Sequence, residues 1–250
     1  MKRVVMTGLS DTGRMRGGNE DCIATHPEFG LAVLADGMGG HQAGEVASNM
    51  AVDIVMRHFE EREWKPAGGK VVASEAQAVA QAIQKANTAV YDAAQNRLEY
   101  RGMGSTVVVA VFYGDHMCVG HVGDSRLYRL REGSLEQLTR DHSVVQELVT
   151  RGLFTAEEAR QSVAKNLVTR ALGVDANIEP DISEAAVVEG EIYLLCSDGL
   201  NDVVNDPEIV EVLTKHGENL KMAAKQLIDL ANERGGPDNI SVILVAVKAA

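Results

Sequence analysis

The sequence lacks the cysteine content of a disulfide-stabilised protein. Its 250 residues include only three cysteines, Cys22, Cys118 and Cys196. An odd and sparse set, with two members inside apolar runs, is typical of reduced, buried thiols and argues against a disulfide framework. We therefore expect a cytoplasmic protein.

Long apolar segments are also missing. Apolar runs such as residues 107–112 are far shorter than the roughly 20 residues that a membrane-spanning helix requires. The run that follows Lys2-Arg3 is too short for the apolar core of a signal peptide. We expect no contact with a membrane.

Positive charge is scarce. The chain has 24 Lys and Arg against 36 Asp and Glu, which gives a net charge of −12. Its basic residues are scattered singly or in pairs, so the phosphates of a nucleic acid would be repelled. We expect no nucleic-acid partner.

Several catalytic signatures are absent. The chain has no His-Glu-x-x-His and no paired Cys-x-x-Cys, which argues against zinc. It has no Gly-x4-Gly-Lys-Ser/Thr loop for nucleotide phosphates. Cysteine-dependent phosphatases require an arginine after five further residues, where the three cysteines here have Glu28, Asp124 and Asp202. Gly114-Asp115-His116 only approaches the Gly-Asp-x-His-Gly of another metallophosphatase class and is typical of a hairpin turn.

Apolar periodicity predicts three long helices and several buried strands. Helices are predicted over residues 46–59, 76–98 and 220–234, with breaks at 66–69 and 235–237. Runs rich in Val, Ile and Leu predict strands at 31–35, 106–113, 117–122, 127–130, 192–196 and 240–247. Because helices and strands do not alternate regularly, the pattern favours an α+β sandwich of packed sheets with helices outside.

Carboxylates recur at the ends of these predicted strands. Asp36-Gly37 and Asp198-Gly199 each follow one apolar run, and Gly123-Asp124 follows another. Asn19-Glu20-Asp21 and Pro237-Asp238 each precede one. Any single Asp-Gly pair is typical of a hairpin turn, which is the alternative interpretation.

Taken together, the carboxylates predict a metal site. Buried without partners, they would repel one another at several kcal/mol apiece. Few Lys or Arg lie near them in the sequence, and oxygen-only ligands favour Mg²⁺ or Mn²⁺. Two such ions roughly 3.5–4 Å apart activate water for attack at phosphorus. The set therefore predicts metal-dependent hydrolysis of a phosphate ester.

Eight motifs carry a family resemblance through nearly the whole chain. They are Arg16-Gly17-Gly18-Asn19-Glu20-Asp21, Asp36-Gly37-Met38-Gly39-Gly40-His41, Gly102-Met103-Gly104-Ser105-Thr106, Gly123-Asp124-Ser125-Arg126, Asp141-His142-Ser143, Asn166-Leu167-Val168-Thr169-Arg170-Ala171-Leu172-Gly173, Ser197-Asp198-Gly199-Leu200 and Gly236-Pro237-Asp238-Asn239. In this order they resemble the bacterial branch of the metal-dependent protein phosphatases (PPM, also called type 2C).

The resemblance implies a four-layer fold, with two packed antiparallel sheets flanked by helix pairs. We expect one domain over residues 1–250, with a small flap at about 145–170. Thr155 begins a short sequence typical of a capped helix. Bacterial relatives often place a histidine where this chain has Gln161-Ser162-Val163. Without that histidine, the resemblance assigns no residue of the flap to contact with the substrate.

The implied metal ligands lie at the strand ends. By resemblance, Asp36 bridges two ions and the carbonyl of Gly37 binds one of them. Asp198 and Asp238 complete the other site. Asp124 shares a third, weaker ion with Asp198.

Other site residues are implied in the same way. Glu20 and Asp21 orient metal-bound waters. Arg16 binds the phosphate through its planar fork, although a lone arginine is otherwise a solvated surface charge. His41 is a candidate acid for the leaving alkoxide or, alternatively, orders the loop at a helix start. His121 and His142 are expected to be structural.

The implied activity is hydrolysis of phosphoserine and phosphothreonine in proteins. Hydroxide activated by two metal ions attacks directly, without a phosphoenzyme. The expected partners are phosphorylated proteins that are substrates of a cognate Ser/Thr kinase, and we expect a monomer. The alternatives are a regulatory pseudophosphatase, which usually loses metal ligands, and a structural sandwich with aspartate turns. Either Mg²⁺ or Mn²⁺ fits the sequence. Hydrolysis of phosphotyrosine is left open as well.

Overall fold

The computed structural model describes residues 3–40, 43–61, 72–155, 158–159, 162, 164 and 167–249. Its strands are β1 (Arg3–Asp11), β2 (Asp21–His26), β3 (Leu31–Met38), β4 (Gly104–Ser105), β5 (Val107–Tyr113), β6 (His116–Val122), β7 (Arg126–Arg131), β8 (Ser134–Gln137), β9 (Asp181–Ala186), β10 (Ile192–Cys196) and β11 (Ile240–Lys248). Its helices are α1 (Ala43–Glu60), α2 (Val72–Asn96), α3 (Val144–Thr150), α4 (Asp198–Asn201), α5 (Asp206–His216) and α6 (Leu220–Glu233).

The strands form two antiparallel sheets. One sheet has the order β1-β11-β10-β7-β8, and the other has the order β2-β3-β5-β6-β9, with β4 paired to β3. Every strand pair between named strands is antiparallel. The prediction of an α+β fold with two packed antiparallel sheets is confirmed.

Alternating side chains explain why the central strands are continuously apolar. Leu34 and Val108 face the other sheet, where they pack with Tyr193 and Ile243. Their neighbours on the same strands face outward and pack against α1 and α2. The second sheet is covered in the same way by α5 and α6. A strand that is buried on both faces cannot alternate with polar residues, so the layers run helix, sheet, sheet, helix.

The helix predictions hold except at one end. The apolar stripes at 46–59 and 220–234 correspond to α1 and α6, and most of 76–98 corresponds to α2. The predicted helix end at residue 98 is wrong, since α2 ends at Asn96 and Leu98, which we expected on the buried face, is 85% exposed. The predicted break at 66–69 lies outside the described residues. Among the helices that the structure describes, none is long and apolar enough to cross a bilayer.

Candidate metal centre

The pairing of β2 with β3 places two aspartates side by side. Asp21 lies opposite Asp36 in the antiparallel register. The main-chain N–H of Asp36 donates to the hydroxyl of Thr106 at 3.0 Å, and its carbonyl accepts from the N–H of Thr106 at 2.8 Å and from Ser105 Oγ at 3.0 Å. Neighbouring groups therefore satisfy the main-chain hydrogen bonds of Asp36.

The other sheet contributes two more aspartates. Asp198 begins α4 directly after β10, and Asp238 lies just before β11, the neighbour of β10. The absence of a side chain at Gly199 permits this approach, because a Cβ there would lie 2.0 Å from the carbonyl oxygen of Asn239 and 3.5 Å from the Cβ of Asp238. The glycine after Asp198 thus brings the two segments together.

Asp124 completes the group from the turn between β6 and β7. The Ser125 hydroxyl in this turn lies 2.7 Å from that of Thr106, which also contacts Asp36. Asp124 and Asp198 share a cleft of about 300 Å³. We call the side chains of Asp21, Asp36, Asp124, Asp198 and Asp238 the acidic pole.

Electrostatics confirm that these carboxylates are close enough to repel one another. Burial, together with the charges of the other four aspartates, raises the pKa of Asp36 well above its usual range. Burial and the charge of Asp124 likewise raise the pKa of Asp198 well above its usual range. Burial raises the pKa of Asp21 and that of Asp124 to about 6 each. A cation bound at the acidic pole would offset the repulsion between these carboxylates.

Two oxygens of the acidic pole lack a donor. Among the residues that the structure describes, none donates a hydrogen bond to the buried Oδ1 of Asp21 or of Asp198. A buried carboxylate oxygen without a partner is costly unless a cation or water contacts it. The oxygen-only set therefore fits Mg²⁺ or Mn²⁺.

The carboxylate oxygens of the acidic pole do not form a tight three-ligand cluster. Within the described part of the chain, no three carboxylates of the acidic pole bring ligand atoms within 4.8 Å of one another; one group that meets this limit is His121, His142 and Asp181. Ions bound at the acidic pole would have to draw these oxygens closer together.

Arg16 lies at the edge of the acidic pole. Its Nη2 contacts Asp238 Oδ2 at 2.7 Å, and its side chain is 51% exposed. The hydrogen bond to Asp238, with the charges of Asp238, Glu20 and Asp198, raises the pKa of Arg16. A groove of about 450 Å³ runs past Arg16 and Glu20. The arginine therefore faces solvent beside the carboxylates.

Glu20 is held by its main chain. Its N–H donates to Asn239 Oδ1 at 2.8 Å, and its carbonyl accepts from the N–H of Gly37 at 3.0 Å. Its carboxylate packs on α1, where a Cβ on Gly44 would lie 2.7 Å from it. Burial raises the pKa of Glu20. His41 lies outside the described residues.

The sequence analysis missed Asn239 and Ser197. Asn239 Nδ2 donates to the carbonyls of Thr12 and Gly18 at 2.8 and 2.9 Å, which secures the loop that carries Arg16. Ser197 Oγ donates to Asp21 Oδ2 at 2.8 Å and links the two sheets. Both residues lie within the motifs that resemble the phosphatase family, and this membership was the only feature of the sequence that pointed to them.

Comparison with known proteins assigns this fold and site to a family. The model of the protein phosphatase 2C family matches residues 14–240. The chain belongs to the protein phosphatase 2C family.

Several similar proteins are bacterial phosphatases. The chain is 38% identical over 238 residues to the serine/threonine protein phosphatase PstP of Mycobacterium tuberculosis strain H37Rv, with 95% of this chain covered but only 44% of that protein's length. It is 38% identical to the serine/threonine phosphatase stp of Listeria monocytogenes strain EGD-e, covering 94% of this chain and 93% of that protein. The solved catalytic domain of PstP in complex with two manganese ions superposes with a TM-score of 0.87 at 36% identity, with both chains fully covered.

Proposed function

We propose that this chain is a metal-dependent phosphatase that hydrolyses phosphoserine and phosphothreonine in proteins. The observation that carries the proposal is the convergence of Asp36, Asp198 and Asp238 from two sheets, beside the exposed Arg16. The names of the bacterial relatives and the two manganese ions of the PstP catalytic domain support it.

The acidic pole would hold the ions. Asp36, the carbonyl of Gly37, Asp198 and Asp238 would bind two ions, Mn²⁺ or Mg²⁺. Asp124 would share a weaker third with Asp198. When bound, such ions neutralise the phosphate and lower the pKa of the water that attacks phosphorus directly, without a phosphoenzyme.

Glu20 and Asp21 would act from behind these ligands as hydrogen-bond acceptors. Asp21 is fixed by Ser197 and keeps its Oδ1 available. Glu20 is fixed through its main chain by Asn239 and Gly37. Acceptors that are held in place orient water and ligands around a metal site and tune its affinity.

Arg16 would bind the phosphate of the substrate. Guanidinium carries five N–H donors, so one contact with Asp238 leaves others for phosphate oxygens. A chain of net charge −12 requires local positive charge to attract a dianion. Its half-exposed position makes Arg16 accessible from solvent.

His41 is proposed either as the proton donor to the leaving group or as a residue that orders the loop before α1. The leaving group distinguishes the two roles. An alkoxide needs a proton far more than a phenolate does, so His41→Gln would slow phosphoserine peptides much more than aryl phosphates if His41 is the acid. An equal loss on both substrates would assign it to the loop.

Metal removal tests the activity itself. We expect hydrolysis of a phosphothreonine peptide with Mn²⁺, loss of activity in EDTA, and recovery on adding Mn²⁺. Asp36→Ala and Asp238→Ala should abolish turnover, whereas Asp53→Ala, a change of an exposed aspartate on α1, should not. Full activity after chelation would refute the proposal. Binding of the phosphopeptide without turnover would favour the pseudophosphatase.

The remaining proposals concern the organisation and setting of the protein. We propose one domain over residues 1–250 with a flap at about 145–170, and a cytoplasmic monomer that contacts neither membrane nor nucleic acid. Its proposed substrates are phosphorylated by a cognate Ser/Thr kinase. Sedimentation equilibrium tests the monomer, and comparison of phosphoproteomes with and without the chain identifies substrates.

A further inference from the structure

A second cluster of titratable side chains lies outside the acidic pole. The rings of His121 and His142 are buried and stacked, with centroids 4.7 Å apart. His142 Nε2 lies 3.3 Å from Asp181 Oδ2, a close polar contact that does not meet the geometry of a hydrogen bond. Arg170 Nη1 donates to Asp181 Oδ1 at 2.9 Å. The proposed function assigns no role to these four residues.

The hydrogen bonds show that this cluster is not a metal site. The N–H of Gly123 donates to His142 Nδ1 at 3.1 Å, so the neutral ring carries its proton on Nε2. Burial, the neighbouring His121 and Arg170 lower the pKa of His142 to about 4, which keeps the ring neutral at pH 7. A protonated Nε2 cannot ligate a metal. It is directed instead toward the carboxylate of Asp181.

His142 also belongs to a main-chain pairing that we call the clasp, residues 142–144 and 167–169. The N–H of Thr169 donates to the carbonyl of His142 at 2.7 Å, and the N–H of Val144 donates to the carbonyl of Leu167 at 2.9 Å. Ser143 and Val168 form the bridge between these bonds. The clasp joins the two ends of the segment at 145–170.

The clasp and the chain just beyond it bind two segments that neighbour the acidic pole. His142 holds Gly123 from both sides, because its N–H donates to the Gly123 carbonyl at 2.9 Å while its Nδ1 accepts from the Gly123 N–H. Gly123 directly precedes Asp124. Three residues beyond the clasp, Leu172 exchanges two main-chain hydrogen bonds with Ser105, whose hydroxyl donates to the carbonyl of Asp36 at 3.0 Å.

We propose that His142 is a positioning residue that ties the clasp to the turn of Asp124. Its Nδ1 fixes the main chain that aims the Asp124 carboxylate. Its Nε2 edge lies in close polar contact with Asp181, whose other oxygen accepts from Arg170, and this contact holds the downstream half of the clasp. The first half of this inference rests on the proposed function, because it treats Asp124 as a metal ligand; the second half does not.

Two substitutions separate the two edges of the ring. In His142→Asn, Oδ1 can take the place of Nδ1 and accept from Gly123, but nothing reaches Asp181. In His142→Gln, the longer amide can reach Asp181, but the acceptor for Gly123 is displaced. If His142 only filled space, the two substitutions would have the same effects on metal binding and on the clasp.

The measurements are Mn²⁺ binding by calorimetry and amide hydrogen exchange across residues 167–172, both on the full chain. For His142→Gln we expect the weakest Mn²⁺ site to lose about tenfold in affinity, with clasp exchange unchanged. For His142→Asn we expect clasp exchange at least about tenfold faster, with Mn²⁺ affinity nearly unchanged. Arg170→Gln, a change of a half-exposed residue, should reproduce the His142→Asn pattern.

His116→Asn serves as the matched control, because His116 is exposed. Equal effects of the two His142 variants on both readouts, or no effect of either, would overturn the proposal. If the wild-type chain binds no Mn²⁺ and hydrolyses no phosphopeptide, the proposed function fails. The exchange data on His142→Asn and Arg170→Gln would still decide the role of His142 in the clasp.

Discussion

The hydroxyl of Ser197 donates a 2.8 Å hydrogen bond to the carboxylate of Asp21, and this bond joins the two sheets. Ser197 Oγ itself accepts from the N–H of Ser241 at 2.9 Å, so its orientation is fixed. Asp21 in turn lies opposite Asp36 in the β2–β3 ladder. One buried serine therefore links the two halves of the acidic pole.

Ser197→Ala should weaken both the fold and the metal site. Removing the hydroxyl takes one hydrogen-bond donor from the buried carboxylate of Asp21 and one acceptor from the N–H of Ser241, which costs about 1–3 kcal/mol. We expect the free energy of unfolding in urea to fall by this amount in EDTA. Calorimetry should also show weaker binding of Mn²⁺.

Ser134→Ala provides the control for this change, because Ser134 is an exposed residue of β8. It should leave the urea midpoint and the affinity for Mn²⁺ unaltered. If Ser197→Ala behaves like Ser134→Ala in both measurements, the bond to Asp21 does not organise the pole.

Asp36→Asn should stabilise the metal-free protein and abolish its activity. The charge of Asp36 is buried among four other aspartates, and an isosteric amide removes that repulsion. We expect the melting temperature in EDTA to rise above that of the wild type. Added Mn²⁺ should then raise it far less than it raises that of the wild type.

The matched control is Asp53→Asn, which changes an aspartate that is 70% exposed on α1. It should retain the full gain in melting temperature with Mn²⁺ and full activity. A lower melting temperature of Asp36→Asn in EDTA would show that the Asp36 charge is already compensated in the metal-free protein.

The central strands could be predicted because they are buried on both faces. Continuous runs such as Ile192–Cys196 need no partner information to be identified. β1 and β9 escaped prediction for the opposite reason, since their side chains are largely half-buried or exposed and mixed in character. The end of α2 was misplaced because Leu98 continues the apolar spacing although it lies in the following turn.

The aspartates could be identified from the sequence, but their supports could not. Motif order pointed to Asp36 and Asp198, whereas the bond between Ser197 and Asp21 spans 176 residues. His142 was expected to be structural, and only the folded chain places its two ring edges on Gly123 and Asp181. Such contacts depend on sheet packing, which local spacing does not encode.

Arg16→Lys should impair phosphopeptide hydrolysis even though the charge is kept. Lysine is a point charge and cannot contact Asp238 and two phosphate oxygens with one planar group. Loss of charge-assisted hydrogen bonds worth about 1.5–3 kcal/mol predicts a fall in kcat/KM of about 10- to 150-fold. Arg16→Ala should lower it further.

Arg57→Lys is the control for this series, because Arg57 is 70% exposed on α1 and pairs with Asp53. Its steady-state kinetics should match those of the wild type. Wild-type kcat/KM in Arg16→Ala would assign Arg16 to the surface and remove it from phosphate binding.

Protonation of His142 should lower the free energy of unfolding as the pH falls. Burial, His121 and Arg170 lower its pKa from 6.5 to about 4, while the facing Asp181 acts the other way. Between these values the unfolded chain binds more protons than the folded one, so this contribution is present above pH 6.5 and is lost as the pH falls toward 4. From pH 7.5 to pH 5 the loss is about 2 kcal/mol.

The His142→Asn variant isolates this contribution from the carboxylates of the acidic pole, whose raised pKa values act in the opposite direction. The variant should be less stable than the wild type at pH 7.5, and by pH 5 its deficit in EDTA should shrink by about 2 kcal/mol. Urea unfolding at the two pH values gives both differences, with His116→Asn as the control. A deficit that is the same at both would mean that the His142 ring accepts a proton in the folded chain as readily as in the unfolded one.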